Sequence, residues 1–197
     1  MFNPLTKIMN MLAQRKLEKI HKKFMDCICS NDIEGVQKYL DSGLSPNFGP
    51  SDVGYFVAMN DLPPLFAAAK MWLPQMVQLL LDRGTDPDRM LTEGSDIERS
   101  SFKLPPKNAL EMYIQYMSSI DSGRAHPQQK RKYPVAPETA LQVYKILRSK
   151  INPSMKDLKT INEGNGRSLP LFAAWEQQQL LQKYVPNIQG ASPPRRM

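Results

Sequence analysis

PLFAAAKMWLPQMVQLLLDRGTDPD, residues 64–88, carries the clearest structural pattern in the sequence. Pro64 precedes an apolar, alanine-rich run, and proline is well tolerated in the first turn of a helix because its missing N–H would have no partner there. Apolar residues then recur with helical periodicity as far as Gly84, and a glycine just past a helix adopts the left-handed conformation without a Cβ penalty. The stretch therefore predicts two short helices, a stop at glycine and a turn that contains Pro87.

Two pairs of segments repeat parts of this pattern. Residues 36–43 (VQKYLDSG) resemble residues 77–84 (VQLLLDRG), and after each glycine two residues intervene before a proline. Residues 62–69 (LPPLFAAA) are echoed by residues 168–175 (SLPLFAAW). Self-similarity of this kind indicates a repeat architecture, in which stacked units share one continuous core.

Residues 64–88 resemble an ankyrin repeat, with Pro-Leu at the start of the first helix, Ala-Ala within it, Val-x-Leu-Leu-Leu in the second helix and a closing Gly-x-Asp-Pro. Weaker copies cover residues 24–47, a third unit that starts at Asn108 and has its second helix at 139–150, and a truncated last unit at 167–184. The resemblance implies an all-α fold, a helix-turn-helix repeat solenoid over residues 24–184.

The copies are spaced more widely than the family period of about 33 residues. The aligned first-helix positions are Phe24, Leu65, Leu110 and Leu171. Insertions 48–60 and 89–106 follow a glycine stop, so we expect them to lengthen the finger loops between repeats. Insertion 121–137 falls between the two helices of repeat three, at the end opposite the fingers.

Residues 1–23 are predicted to form an amphipathic N-terminal capping helix. The apolar residues that recur at steps of three to five are Leu5, Ile8, Met9, Leu12, Leu17, Ile20 and Phe24. The basic residues assigned to the other face are Lys7, Arg15, Lys16, Lys19, Lys22 and Lys23. An open stack must cover its first apolar face, so we expect this helix to pack on repeat one and to cover Phe24 and Ile28. Residues 185–197 are polar and proline-bearing, and are predicted to be a flexible tail.

The composition gives a net charge of +7 and a pI of about 9.4. This excess favours an acidic partner, whether an acidic protein face, a nucleic acid or an anionic membrane surface. The start of the sequence lacks the apolar core of a secretory signal, and no apolar run reaches the roughly 20 residues that span a bilayer. We therefore expect a cytoplasmic, intracellular protein, one that a pathogen could also translocate into a host cell.

Residues suited to catalysis or metal binding are sparse. Neither a phosphate-binding Gly-x-x-x-x-Gly-Lys loop nor a Gly-x-Ser-x-Gly elbow occurs in the sequence. His21 and His126 are predicted to be solvated surface residues. Cys27 and Cys29 point to different sides of a helix, so we expect two buried free thiols rather than a disulfide, and they are incomplete as a zinc site. The sequence predicts a protein that is not an enzyme and has no cofactor and no metal.

The candidate partner-binding surface combines the two long fingers with the end of the first helix of repeat two. This surface carries aromatic residues and an arginine, which are types enriched among binding hot spots. The predicted contact residues are Tyr55, Phe56, Met71, Trp72, Arg89 and Phe102. Trp72, where the family usually has glycine, is either an exposed anchor or packs over the adjoining repeat. Tyr55, Phe56 and Phe102 are either contact residues or residues that pack within the fingers. Trp175 is expected to cap the last repeat.

An alternative site is the basic part of insertion 121–137, which comprises Arg124, Lys130, Arg131 and Lys132. Such a cluster suits nucleic acid, but it equally fits a solvated loop.

The leading functional hypothesis is a protein-binding adaptor or regulatory module that uses its finger loops and first-helix surface. The style of the sequence suggests a bacterial or viral secretion adaptor, effector or inhibitor. The first alternative is a nucleic-acid-associated protein that uses the basic N-terminal helix and the 124–132 loop. A further alternative is peripheral membrane attachment by that helix.

Overall fold

The computed structural model describes residues 4–47, 63–88, 108–123 and 136–184. Within these ranges it describes the backbone throughout and all side chains except those of residues 4–11, 14 and 184. Within these ranges all regular structure is helical, which confirms the all-α prediction. The helices are α1 (Pro4–Cys29), α2 (Ile33–Asp41), α3 (Pro64–Lys70), α4 (Pro74–Asp82), α5 (Ala109–Asp121), α6 (Pro137–Arg148), α7 (Met155–Asn162) and α8 (Leu169–Tyr184).

The first two helix pairs are joined by loops of three residues, each closed by a residue in the left-handed conformation. Asn31 has φ +59° and Trp72 has φ +54°. In both loops the next amide reaches back to the helix: Asp32 N donates to Cys27 O at 2.8 Å, and Leu73 N donates to Ala68 O at 3.1 Å. These Schellman bonds satisfy carbonyls at the helix end and turn α1 into α2 and α3 into α4 as antiparallel pairs.

The glycine stops predicted after α2 and α4 are confirmed. Gly43 has φ +89° and Gly84 has φ +83°, values that favour glycine. Thr85 N donates to Leu80 O at 3.0 Å, which completes the Schellman motif after α4.

The helices form two rows around one core. In the first row α1, α3, α5 and α7 pack on one another in succession, and in the second row α4 packs on α6 and α6 on α8. Helix α2 packs against α1, and Asp41 at its end accepts a hydrogen bond from Arg83 at 2.7 Å, which links it to α4. This arrangement is compatible with an ankyrin-like helical repeat fold.

The assignment of Leu171 to the first helix of repeat four is wrong. On α8, Phe172 stacks on Tyr144 of α6 with ring centroids 4.3 Å apart, and Glu176 accepts a hydrogen bond from Arg148 of α6 at 2.8 Å. Between these two contacts the residue numbers increase in the same direction along both helices, so α8 runs parallel to α6. Helix α8 therefore lies in the second row. Helix α7 packs on α5 and occupies the first row in its place.

Residues 4–23, the described part of the predicted N-terminal capping helix, are continuous with the first helix of repeat one, and their role as a cap stays a prediction because the side chains of Leu5, Ile8 and Met9 lie outside those described. Helix α1 runs through position 23 without a break, and Phe24 and Ile28 are buried against its neighbours rather than by its own N-terminal half. Leu12 is 57% exposed and Leu17 is 40% exposed. A helix of 26 residues is about 39 Å long, whereas α2 and α3, on which α1 packs, have 9 and 7 residues and reach about 10–14 Å. The first half of α1 therefore projects past the helices that would have covered it.

His21 is the first buried side chain among those described on α1. It is 6% exposed, so its assignment as a solvated surface residue is wrong; His126 lies outside the described residues.

Two buried tyrosines stack on Phe172 where α5, α6 and α8 meet. The hydroxyl of Tyr113 donates to Ala140 O at 3.0 Å, and that of Tyr144 donates to the Glu176 carboxylate at 2.6 Å. Burial raises the pKa of both phenols well above the ordinary value, and for Tyr144 the hydrogen bond to Glu176 raises the pKa further. Both side chains therefore stay protonated in the folded protein at pH values where an exposed tyrosine ionises.

We expect Gly84→Val to destabilise the fold by about 1–2 kcal/mol, because valine would carry a Cβ in the left-handed region. A Cβ built on Gly84 meets no atom of the described residues within 4 Å, so the cost comes from the backbone alone. Urea unfolding followed by circular dichroism measures the effect. Gly84→Asn is the matched control, since asparagine tolerates this conformation and should recover most of the loss. Equal stability of the valine and asparagine variants would contradict the assignment.

We expect stability to fall as the pH rises above about 10, because the unfolded chain then releases tyrosine protons that the folded protein retains. Each such tyrosine contributes about 1.4 kcal/mol per pH unit to this slope. Urea unfolding at pH 9, 10 and 11 should show a shallower decline for Tyr144→Phe than for the wild type, whatever the other groups contribute. Parallel slopes would mean that Tyr144 ionises normally in the folded protein.

Candidate protein-binding surface

The turns that follow α2 and α4 lie at one edge of the structure, here named the turn edge (residues 43–47, 84–88 and 108–109). The Asn47 side chain joins two of them: its Oδ1 accepts from Asp86 N at 2.8 Å, and its Nδ2 donates to Gly84 O at 3.4 Å. The backbone N–H of Ala109, at the start of α5, donates to Pro87 O at 3.2 Å. Three consecutive units are thus fixed to one another at this edge.

A small depression, open to solvent, lies along the turn edge, with a cavity volume of about 20 Å³. Its lining includes Asn47, Pro63, Phe66, Thr85, Pro87 and Met112. Phe66 and Met112 supply an apolar floor at the starts of α3 and α5, while the turns supply backbone polar groups. A depression of this size holds about one water molecule, so the turn edge is a shallow surface on which backbone polar groups adjoin an apolar floor.

Both long insertions begin and end at the turn edge. The first leaves after Asn47 and returns before Pro63, and the second leaves after Asp88 and returns before Asn108. Of the predicted contact residues, Tyr55, Phe56, Arg89 and Phe102 fall within these insertions and lie outside the described residues. The structure therefore shows that the two insertions are attached at the same edge. The roles of these four residues stay predictions.

The hypothesis that Trp72 is an exposed anchor is wrong, and the alternative, that it packs over the adjoining unit, is confirmed. Its side chain is 8% exposed. The indole Nε1 donates to the Met117 sulfur at 3.4 Å, and the ring stacks on Tyr116 with centroids 6.1 Å apart. Trp72 thus holds α3 against α5.

Met71 and Trp72 also lie at the wrong end of α3 for the predicted surface. They follow its last residue, whereas the turn edge adjoins its first, and seven residues of helix separate the two by about 10 Å. Met71 is half-buried. These two residues belong instead to the end where α5 finishes, near Gly123, from which insertion 121–137 leaves.

Lys70 is a feature of that opposite end that sequence reasoning missed. Its Nζ lies 5.5 Å from the centroid of the Tyr116 ring, a cation–π geometry, and burial lowers its pKa. Nothing local to Lys70 signals this, because a lysine in the last turn of a helix ordinarily faces solvent and its aromatic partner lies on another helix.

The alternative basic site cannot be placed, because Arg124, Lys130, Arg131 and Lys132 lie outside the described residues. At the other end of the chain, Trp175 is half-buried and packs edge-on against Tyr144 with centroids 5.8 Å apart.

The two cysteines on α1 are free thiols, as predicted, but they are not both buried. Cys27 is half-buried and Cys29 is exposed. Burial and the charges of nearby aspartates, Asp32 and Asp26 for Cys27 and Asp26 for Cys29, raise the pKa of each thiol. Both are therefore poor nucleophiles at neutral pH.

Comparison with known proteins gives one significant relation. A segment of 71 residues is 34% identical to a fowlpox virus (strain NVSL) protein named as an ankyrin repeat protein. The segment is 36% of this chain but 8% of that protein, so the chain spans a small part of the relative's length. No protein-family model matches the chain, and no solved structure matches it significantly. The relation supports ankyrin-like repeats in part of the chain, and such repeats usually bind proteins.

Within the part of the chain that the structure describes, no helix is both long enough and apolar enough to cross a bilayer.

We expect Trp72→Ala to cost about 3–5 kcal/mol in unfolding free energy, because it removes a buried indole from between α3 and α5. Met71→Ala, at the neighbouring half-buried position, should cost much less. Urea unfolding of the two variants measures the difference, and similar losses would mean that Trp72 does not carry this contact.

Trp72→Gly provides the matched control for the backbone. Glycine removes the same side chain but accepts φ +54° without strain. The glycine variant should therefore be more stable than the alanine variant by about 1 kcal/mol. The reverse order would show that the left-handed conformation is not retained.

Proposed function

We propose that this chain is a protein-binding module of adaptor or regulatory type, and that its partner contacts the turn edge. The observation that supports this most directly is the set of hydrogen bonds from Asn47 to Gly84 and Asp86 and from Ala109 to Pro87. They hold the bases of both long insertions in one fixed array. A rigid base lowers the ordering cost that loops pay on binding.

The composition of the insertions supports the same surface. Tyr55, Phe56, Arg89 and Phe102 are of the residue types that dominate binding hot spots, and all four leave from the turn edge within two insertions. With Met71 and Trp72 assigned to the opposite end, these four residues form the proposed contact set. The depression at the turn edge then lies between the bases of the loops that carry them.

The relative is a viral protein named as an ankyrin repeat protein. We extend the proposal to a role among viral or bacterial proteins, as an adaptor, an effector or an inhibitor of a cognate enzyme. Such roles require a binding surface and no catalytic group. The proposal needs no cofactor or metal.

We expect the variant Tyr55→Ala/Phe56→Ala/Phe102→Ala to weaken capture of the partner by about 2 kcal/mol or more, a thirtyfold rise in Kd, because it removes the anchor side chains. The test is quantitative affinity capture from a lysate of the source cell with mass spectrometry, followed by calorimetry with the identified partner. Thermal unfolding of the variant confirms that the fold is retained.

The matched comparison is Lys130→Gln/Arg131→Gln/Lys132→Gln, which alters the other candidate surface. It should change capture much less. The opposite pattern, with binding lost in the basic variant and kept in the aromatic one, would move the site to insertion 121–137.

A further inference from the structure

The first half of α1 is exposed, and none of the described helices covers it. Every described side chain from Leu12 to Ile20 is exposed or half-exposed, and burial begins at His21. Leucine is costly to leave in water: burying one side chain fully is worth about 1.5–3 kcal/mol. Two leucines, Leu12 and Leu17, remain exposed on this projection at 57% and 40%.

The projection is strongly basic. Between Leu12 and Lys23 the sequence has five basic residues and one acidic residue, Glu18. The basic side chains are all exposed: Arg15, Lys16, Lys19, Lys22 and Lys23. Such a charge density on one segment favours an anionic surface.

The helical register mixes these charges with apolar groups. At about 100° per residue, Lys16, Lys19 and Lys23 all lie within about 40° of Leu12, and Ile20 lies between Leu12 and Leu17. The arc of about 140° from Leu12 to Leu17 therefore carries Ile20 together with Lys16 and Lys23, so apolar and basic side chains are interleaved on one side of the helix. Long lysine side chains can extend their ammonium groups away from an apolar layer while their methylenes stay in contact with it.

We propose that the segment Leu12–Lys23 of α1 binds the surface of a bilayer that contains anionic phospholipid, lying in the interface without crossing it. The leucines and Ile20 enter the boundary between headgroups and acyl chains, and the lysines contact the lipid phosphates. Helix α1 does not qualify as a membrane span, which agrees with an interfacial position.

A lipid surface fits these residues better than nucleic acid does. Phosphate contacts with nucleic acid use the basic groups but leave exposed leucines unburied. Binding of single strands adds stacking on aromatic rings, and the segment from Leu12 to Lys23 contains no Phe, Tyr or Trp. An anionic bilayer uses both the charge and the apolar area.

The test is co-sedimentation of the full chain with vesicles of phosphatidylcholine alone and of phosphatidylcholine mixed with phosphatidylserine. The chain should partition onto the mixed vesicles at least about tenfold more strongly, and added salt should weaken this binding. Lys16→Gln/Lys19→Gln/Lys23→Gln should lower the partition about tenfold or more. Leu12→Ser/Leu17→Ser should lower it about fivefold or more at unchanged charge.

The matched control is Lys38→Gln/Lys150→Gln/Lys156→Gln, which removes the same charge from exposed positions on the body. It should bind mixed vesicles nearly as well as the wild type. All variants replace exposed side chains, and their thermal unfolding should match that of the wild type.

Three results would overturn the proposal: no preference for phosphatidylserine, equal losses in the helix and control lysine variants, or full vesicle binding by the leucine variant. In the last case, tight binding of a DNA duplex or of polyglutamate by the same leucine variant would identify the segment as a general polyanion site.

Discussion

The left-handed residue that closes a helix is the constraint on which the described structure depends. Asn31, Gly43, Trp72, Gly84 and Gly123 all have positive φ, and each stands two residues past the last residue of a helix. At four of these five positions the next amide bonds back to the helix, which reverses the chain within three residues. Because α1 and α3 end in this way, these two first-row helices are antiparallel to the second-row helices that follow them, α2 and α4. The turns after α2 and α4 are thereby brought to one edge.

The sequence predicts these reversals where glycine marks them and fails where another residue takes the same conformation. The helix ends at Gly43 and Gly84 can be predicted from the sequence, because glycine is preferred in the left-handed conformation just past a helix. The same conformation at Trp72 cannot be predicted locally, because it costs a residue with a Cβ about 1–2 kcal/mol. Its buried indole, of roughly 150–250 Å² at about 25 cal/mol per Å², gains more than that strain costs. The packing partners that decide the balance, Tyr116 and Met117, lie on a helix that local sequence cannot place beside it.

Local motifs also identify a helix without fixing its place among its neighbours. The run from Leu169 to Ala174 resembles the start of α3, yet α8 lies in the second row, because proline at a helix start reports only that a helix begins. Its row is set by Tyr144 and Arg148 on α6, which bond to Glu176. The steps of three to five in α1 are ambiguous for a similar reason: the step of five from Leu12 to Leu17 turns the helix by about 140°, so the two lie at the limits of a broad face and not on one narrow stripe. Of the predicted site, the attachment of both insertions to one edge follows from the repeat pattern. Met71 and Trp72 were misplaced because they follow the last residue of α3, whereas the turn edge adjoins its first residue, about 10 Å away along the helix.

The projecting half of α1 and the turn edge are neighbours. Phe24 of α1 meets Tyr39 near the end of α2, with ring centroids 5.9 Å apart, and the turn that follows α2 belongs to the turn edge. Continuing from Phe24 toward Leu12, α1 therefore leaves the body at that same edge. If α1 lies on an anionic bilayer and a protein partner occupies the turn edge, both ligands meet the molecule on adjoining surfaces. A partner that also carries negative charge would compete with lipid for the lysines of α1, whereas a membrane-bound partner would gain affinity because the second contact becomes intramolecular. Any coupling between the two must be reciprocal, so the effect of vesicles on partner affinity equals the effect of the partner on vesicle affinity.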